Sequence, residues 1–179
     1  MSVYPKGVEV HRFAIISPDE RYRYFLARAW GKPGESGRSL GFIMLNPSTA
    51  DAERDDNTIR RCVSLATAHR YTGIHVVNLF ALRTKDPRVL WMTMDSGVDV
   101  VGPENDHTIT EILTTAASLD RPVVAAWGAA PRARERVAKV CALSYAERLH
   151  AFATTGGGAP RHPLYLPRDC DLTPWKPPE

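Results

Sequence analysis

The chain has 179 residues, 44% of them hydrophobic, which is enough for one domain with its own core and too short for two ordinary ones. A formal charge of +3 permits a nucleic-acid partner but falls short of the strongly basic character that would argue for one. Cys62, Cys141 and Cys170 are odd in number and widely spaced, which excludes a paired zinc or iron–sulfur pattern and reads as reduced thiols.

In chain order, Val8 to Ile16 and Arg21 to Trp30 are β-prone runs joined by Ser17-Pro18-Asp19-Glu20, the composition of a tight turn, so an antiparallel hairpin is expected first. In its second arm Tyr22, Tyr24 and Leu26 alternate with Arg21, Arg23 and Phe25, which predicts at least one polar face. Gly31 to Ser39 is Gly-, Pro- and Ser-rich and reads as a loop. The continuous apolar run Gly41 to Leu45 suits a strand covered on both faces, and Pro47 should end its pairing at Asn46. Asp55-Asp56-Asn57-Thr58 offers N-cap candidates for a helix from Thr58 to His69. Ile74 to Leu79 and Val123 to Trp127 repeat the apolar strand pattern, and Leu149 to Thr154 is a shorter fourth strand. Helices are expected over Asn105 to Ala117 and Arg132 to Arg148, while Trp91 to Gly102 carries no clear pattern and reads as an insertion or lid. The tail from Thr155 should be irregular but ordered, because Tyr165, Leu166 and Trp175 are large apolar groups. Alternating strands and helices give a mostly parallel four-stranded sheet with helices on both sides, plus the hairpin.

Parallel strands deliver their functional groups at their carboxyl ends. One rim therefore gathers Asn46-Pro47-Ser48-Thr49 and Asp51, then Asn78 and Phe80 followed by Arg83, then Trp127-Gly128, then Arg161-His162. An amide at a strand end both donates and accepts, so Asn78 suits the edge of a nucleobase; its plain alternative is a buried Asn satisfying loop backbone. His162, bracketed by Gly and Pro, can hold an imidazole against a developing anion, or serve structure alone. Gly156-Gly157-Gly158 lacks the helix and lysine of a phosphate loop and reads as a connection. Asp51, Asp55 and Asp56 form a possible site for a hard cation, against the reading that they are caps and solvated charge.

The runs FIMLNPSTADAERDDNTIRRC, VVNLFALRTKDP, GPENDH, VVAAWGA and PRHPLYLP resemble an uncharacterised bacterial and phage family, the domain-of-unknown-function family 1643, across residues 8 to 167. That resemblance implies no activity. The order MLNP, VVNL, AAWG, RHPLYLP also resembles the strand-end motifs of the uracil-DNA glycosylase superfamily. This second resemblance implies a three-layer α/β/α fold, with Asn46 positioning water, Asn78 reading a base and His162 acting as electrophile. Leu164 or Leu166 would be the duplex-inserting wedge, beside Tyr165. The chain departs from the pattern at Met44, where those glycosylases have glycine, and at Asn46, where the most active ones have aspartate.

The expectation is a nucleobase-directed enzyme acting on an N-glycosidic bond of a modified or damaged base, in DNA or a nucleotide, with Asp51 or Asp56 supplying negative charge to an oxocarbenium-like sugar. Two rivals are a non-catalytic module recognising the same kind of base and a metal-dependent hydrolase of nucleotide phosphates. No cofactor or resident metal is implied, and the oligomeric state is left open. With no apolar run approaching the roughly 20 residues that span a bilayer and no signal-peptide core, the chain reads as one soluble cytoplasmic domain over residues 1–179.

Overall fold

The structure, a computed structural model, describes residues 3–31, 37–167 and 169–178. Much of the loop expected over Gly31 to Ser39 therefore lies outside the described residues. Within them, the chain is an α/β protein with four α-helices and one mixed seven-stranded sheet. The strands are β1 His11–Ile16, β2 Arg23–Ala29, β3 Ser39–Met44, β4 Gly73–Asn78, β5 Val123–Ala125, β6 Leu149–Ala151 and β7 Thr173–Pro174, and the helices are α1 Asn57–Ala68, α2 Pro87–Asp95, α3 Asn105–Ser118 and α4 Arg134–Cys141.

The sheet order is β1-β2-β4-β3-β5-β6-β7. β3 runs parallel to both β4 and β5, and β5 parallel to β6, whereas β2 joins β4 and β7 joins β6 antiparallel. The hairpin is thus part of the sheet, not an appendage to it. After β3 the chain winds to β4 on one side and then returns past β3 to β5 on the other. That reversal opens a crevice at the carboxyl ends of β3 and β5, the place where open α/β sheets bind ligands.

Alternation along β3 explains its unbroken apolarity. Leu40, Phe42 and Met44 enter one buried cluster with Ile59, Cys62 and Val63 of α1, while Ile43 enters the other with Ile109, Ile112 and Leu113 of α3. Helix α1 begins where the sequence places it, because the Asp56 side chain accepts the Ile59 amide at 2.8 Å.

The hairpin turn closes as expected, with Ser17 N–H donating to Tyr22 O at 2.9 Å. The expected polar face does not form. Pairing slips between Ile15, opposite Phe25, and Ile16, opposite Arg23, so Tyr24 is an extra residue in β2. This β-bulge reverses the alternation beyond it and turns Arg23 to the α1 side, where Leu26 and Arg28 also lie. Arg23 and Arg28 are consequently buried, at 2% and 0% exposure.

Three further expectations need correction. Trp91 to Gly102 is not a lid: Asp86 caps Pro87 at the start of α2, and Val100 and Val101 accept backbone hydrogen bonds from Leu82 and Ala81 at 3.1 and 3.0 Å. Gly102 then turns with φ +88°, close enough to the Tyr22 and Tyr24 rings that a Cβ would stand 2.9 Å from Tyr24. The long helix expected to Arg148 stops at Cys141, because Tyr145 adopts a left-handed φ of 65° and the chain restarts as a single 3₁₀ turn. The tail is not wholly irregular: it forms a 3₁₀ turn over Pro163–Tyr165 and adds β7 to the sheet, with Leu166 and Trp175 buried and Tyr165 75% exposed.

Candidate functional site

A cleft of about 680 Å³ opens at the carboxyl ends of the parallel strands. Each strand sends one contribution. Asn46 and Ser48 follow β3, Asn78 ends β4, Trp127 and Gly128 follow β5, and Arg161, His162, Leu164 and Tyr165 come from the segment after β6. Asp56 enters from the α1 N-cap. These ten were expected at the rim, and the fold brings them together.

The other expected residues do not line it. Pro47 is buried, and its carbonyl accepts from Thr84 N–H at 3.0 Å. Thr49 is exposed. Phe80 lies in the core, edge-on to Trp91 with ring centres 5.6 Å apart. Arg83 reaches back to the hairpin turn and donates to Glu20 O at 3.1 Å. Asp51 spends one carboxylate oxygen on the Glu53 and Arg54 amides, at 2.8 and 2.9 Å, which also hold its pKa below the ordinary carboxylate value. The glycines 156–158 close a turn, with Gly158 N–H donating to Thr155 O.

The three acidic residues once grouped as a cation site diverge. Asp51 caps its own loop, Asp55 receives Arg28 and Tyr4, and Asp56 caps α1. Among the described residues no cluster of His, Cys, Asp or Glu is arranged to hold a metal ion.

Hydrogen bonding assigns distinct roles to the three polar groups in the cleft. Asn46 donates through Nδ2 to Pro47 O and Thr84 O, at 3.1 and 2.9 Å, which leaves Oδ1 as an acceptor. Asn78 is 1% exposed and is fixed the other way round. Arg23 Nη2 donates to its Oδ1 at 3.1 Å, and a guanidinium only donates, so Nδ2 is left as a donor. The expectation that Asn78 would both donate and accept is narrowed accordingly. His162 accepts the Leu164 amide through Nδ1 at 3.3 Å, which places its ring proton on Nε2 when neutral. Burial lowers the His162 pKa, and the Asp56 charge opposes that shift only in part. A neutral donor imidazole results.

Gly128 reaches this cleft with φ +78°, and a Cβ there would come to 3.5 Å from His162 Cβ. Trp127 is held from behind by Trp175, edge-on with centres 5.1 Å apart.

Four residues were missed by sequence reading. The alternation places Arg23 on a polar face, and Arg28 receives no role. Asn105, fully buried, donates through Nδ2 to the carbonyls of Asn78 and Leu79 at 3.0 and 3.1 Å, and Arg136 Nε donates to Leu79 O at 2.7 Å. Together they pin the end of β4 that presents Asn78. The available signal was the helix start in GPENDH, which put Asn105 beside that strand end.

The buried histidines predict a pH dependence of stability. His162 and His75 both have pKa values lowered by burial, so the unfolded chain binds protons more readily than the folded one. Stability should be full above the unfolded value of about 6.5 and fall as pH drops below it, which urea denaturation between pH 5 and 8 will measure. A midpoint that does not fall on acidification would count against neutral, buried imidazoles.

This is an α/β protein with a polar-floored cleft at a sheet reversal point, the place where open α/β sheets bind ligands. The chain belongs to the family described as "Protein of unknown function (DUF1643)", whose model matches residues 23–164. Comparison with curated proteins and with solved structures returns no match. Among the described residues no helix is long and apolar enough to cross a membrane.

Proposed function

We propose that this protein is a nucleobase-directed hydrolase that cleaves the N-glycosidic bond of a modified or damaged base, in DNA or a nucleotide, on a three-layer α/β/α scaffold like that of uracil-DNA glycosylases. The observation that carries the reading is the convergence of Asn46, Asn78 and His162 in one cleft with complementary hydrogen-bonding roles. Asn46 Oδ1 accepts from the attacking water and orients it. Asn78 Nδ2 donates to a ring acceptor of the base, and His162 Nε2–H donates to the oxygen that gains charge as the base leaves. Asp56, the only carboxylate lining the cleft among the described residues, stabilises the oxocarbenium-like sugar; Asp51, expected to share that role, lies elsewhere. Leu164 and Tyr165, 47% and 75% exposed beside the mouth, form the surface that meets the rest of the substrate.

The test is incubation of the purified protein with duplexes and single strands carrying uracil, deaminated or hypermodified bases. Mass spectrometry then reads the free base and the abasic product. Release from one substrate, lost in His162→Ala, supports the reading. A binding module is the second reading, favoured by Asn46, which cannot take a proton and whose amide nitrogen is tied to two carbonyls. Retention of a modified base without turnover would select it. Intact DNA together with no retained base would defeat both.

A further inference from the structure

Arg23 is a buried charge with incomplete compensation among the described residues. It is 2% exposed, yet among the described residues no carboxylate lies within ion-pair distance of it. Nη1 donates to Ala50 O at 2.9 Å and Nη2 to Asn78 Oδ1 at 3.1 Å, while Nε has no partner. The contrast with Arg28 is sharp: Arg28, two turns of the pleat away on the same face, is fully buried but bound to Asp55 at 2.7 Å. A buried charge is normally paired, because removing an ion from water without compensation is costly. Burial accordingly lowers the Arg23 pKa to about 10, with Asp56 as the largest opposing influence.

The surroundings add to this imbalance. Arg23 lines the cleft, as do Lys85 and Arg161, against the single carboxylate of Asp56, which already spends one oxygen on the Ile59 amide. Asn78 points the same way: with Oδ1 taken by Arg23, it offers the cleft a donor. A guanidinium short of a counter-charge, placed behind a donor amide, completes itself by taking an anion.

We propose that the floor of the cleft, built on Arg23 and Asn78, is a subsite for a negatively charged oxygen acceptor. Two sources have that chemistry, the ionised carbonyl edge of a heterocyclic ring and a phosphate oxygen. The ring source deepens the nucleobase reading and rests on it; the phosphate source does not. In the ring case Arg23 is a positioning residue: it fixes the Asn78 amide and places a positive charge behind it, so the subsite favours a base as it becomes an anion over the same base when neutral.

The experiment uses the whole purified protein and two probes. The first is free 5-fluorouracil, whose imide ionises at lower pH than Arg23, titrated calorimetrically below and above that ionisation. The second is inorganic phosphate, followed by thermal shift. Both are repeated with Arg23→Gln, which keeps an amide donor on a shorter arm and carries no charge. Wild type should bind the ionised ring about tenfold or more tightly than the neutral one, about one pKa unit's worth of discrimination, and Arg23→Gln should bind both forms alike. Phosphate stabilisation that Arg23→Gln loses, with no binding of the ring, keeps the subsite, assigns it to phosphate and removes the nucleobase reading. No binding of either probe, or binding that Arg23→Gln leaves intact, overturns the proposal. If Arg23→Gln does not fold, the wild-type comparison still decides: a ring affinity indifferent to ionisation and no shift with phosphate overturn it.

Discussion

Asp55→Ala should lower the stability of the fold by about 3 to 5 kcal/mol, the usual effect of stripping one partner from a buried ion pair. Arg28 is wholly buried and is satisfied at every nitrogen: Nε by Asp55, Nη1 by Ala27 O, and Nη2 by the carbonyls of Asp51 and Arg54. The second Asp55 oxygen accepts Tyr4 OH at 2.7 Å, and that bond, with burial, pushes the tyrosine pKa upward. Removing Asp55 leaves a guanidinium without counter-charge and takes one acceptor from the Tyr4 phenol, in a domain whose total stability is expected to be only about 5 to 15 kcal/mol. The urea midpoint measures it. A loss below about 1 kcal/mol would mean that water reaches Arg28 in the variant. Asp51→Ala, which removes only the side-chain cap on the Glu53 and Arg54 amides, should cost about 1 kcal/mol. The contrast matters because Arg28 and Asp55 hold the loop that carries Asp56 to the cleft.

His162→Ala should reduce base release by about a hundredfold or more, or roughly 3 kcal/mol of barrier, if the imidazole donates to the departing base. The fall should appear in kcat with KM little changed, because the charge it stabilises develops only in the transition state. A rise in KM alone would make His162 a binding group. Activity should also fall in acid. The Leu164 amide donates to Nδ1, and protonation there would break that bond and replace a neutral donor with a cation beside Arg23 and Arg161. A rate that keeps rising as the solution is acidified would argue for imidazolium as the acid.

Strand ends were readable because Pro, Gly and unbroken apolar runs mark them directly. The sequence therefore places Asn46, Asn78, Gly128 and His162 on one rim, and the cleft contains all four. What the sequence concealed was anything set by a partner distant in the chain. Arg23 looks like part of a wet face under strict alternation, and nothing local announces a bulge. Asp51, Asp55 and Asp56 read alike in a row, yet their carboxylates have different partners, chosen by Arg28 and Tyr4 for one and by nearby backbone amides for the others. Helix α2 was lost because Leu90 is its one buried residue, so the apolar stripe was too thin to see. Tyr165 follows from the motif order alone: RHPLYLP places it beside Leu164, and both line the mouth.

The extra residue in β2 makes the hairpin a parity device. With Tyr24 bulged out of the pairing, Arg23 shares the face of Arg28; in an unbroken ladder of the same sequence Arg23 would join Phe25 and Ala27 on the opposite side of the sheet. The charge beneath the cleft is thus encoded by a pairing register as much as by a residue type. Losing Tyr24 should leave Arg23 opposite Ile16 and on the face of Arg28, whereas a pairing that drew Tyr24 into the ladder would turn the guanidinium away and empty the floor of the cleft of its charge.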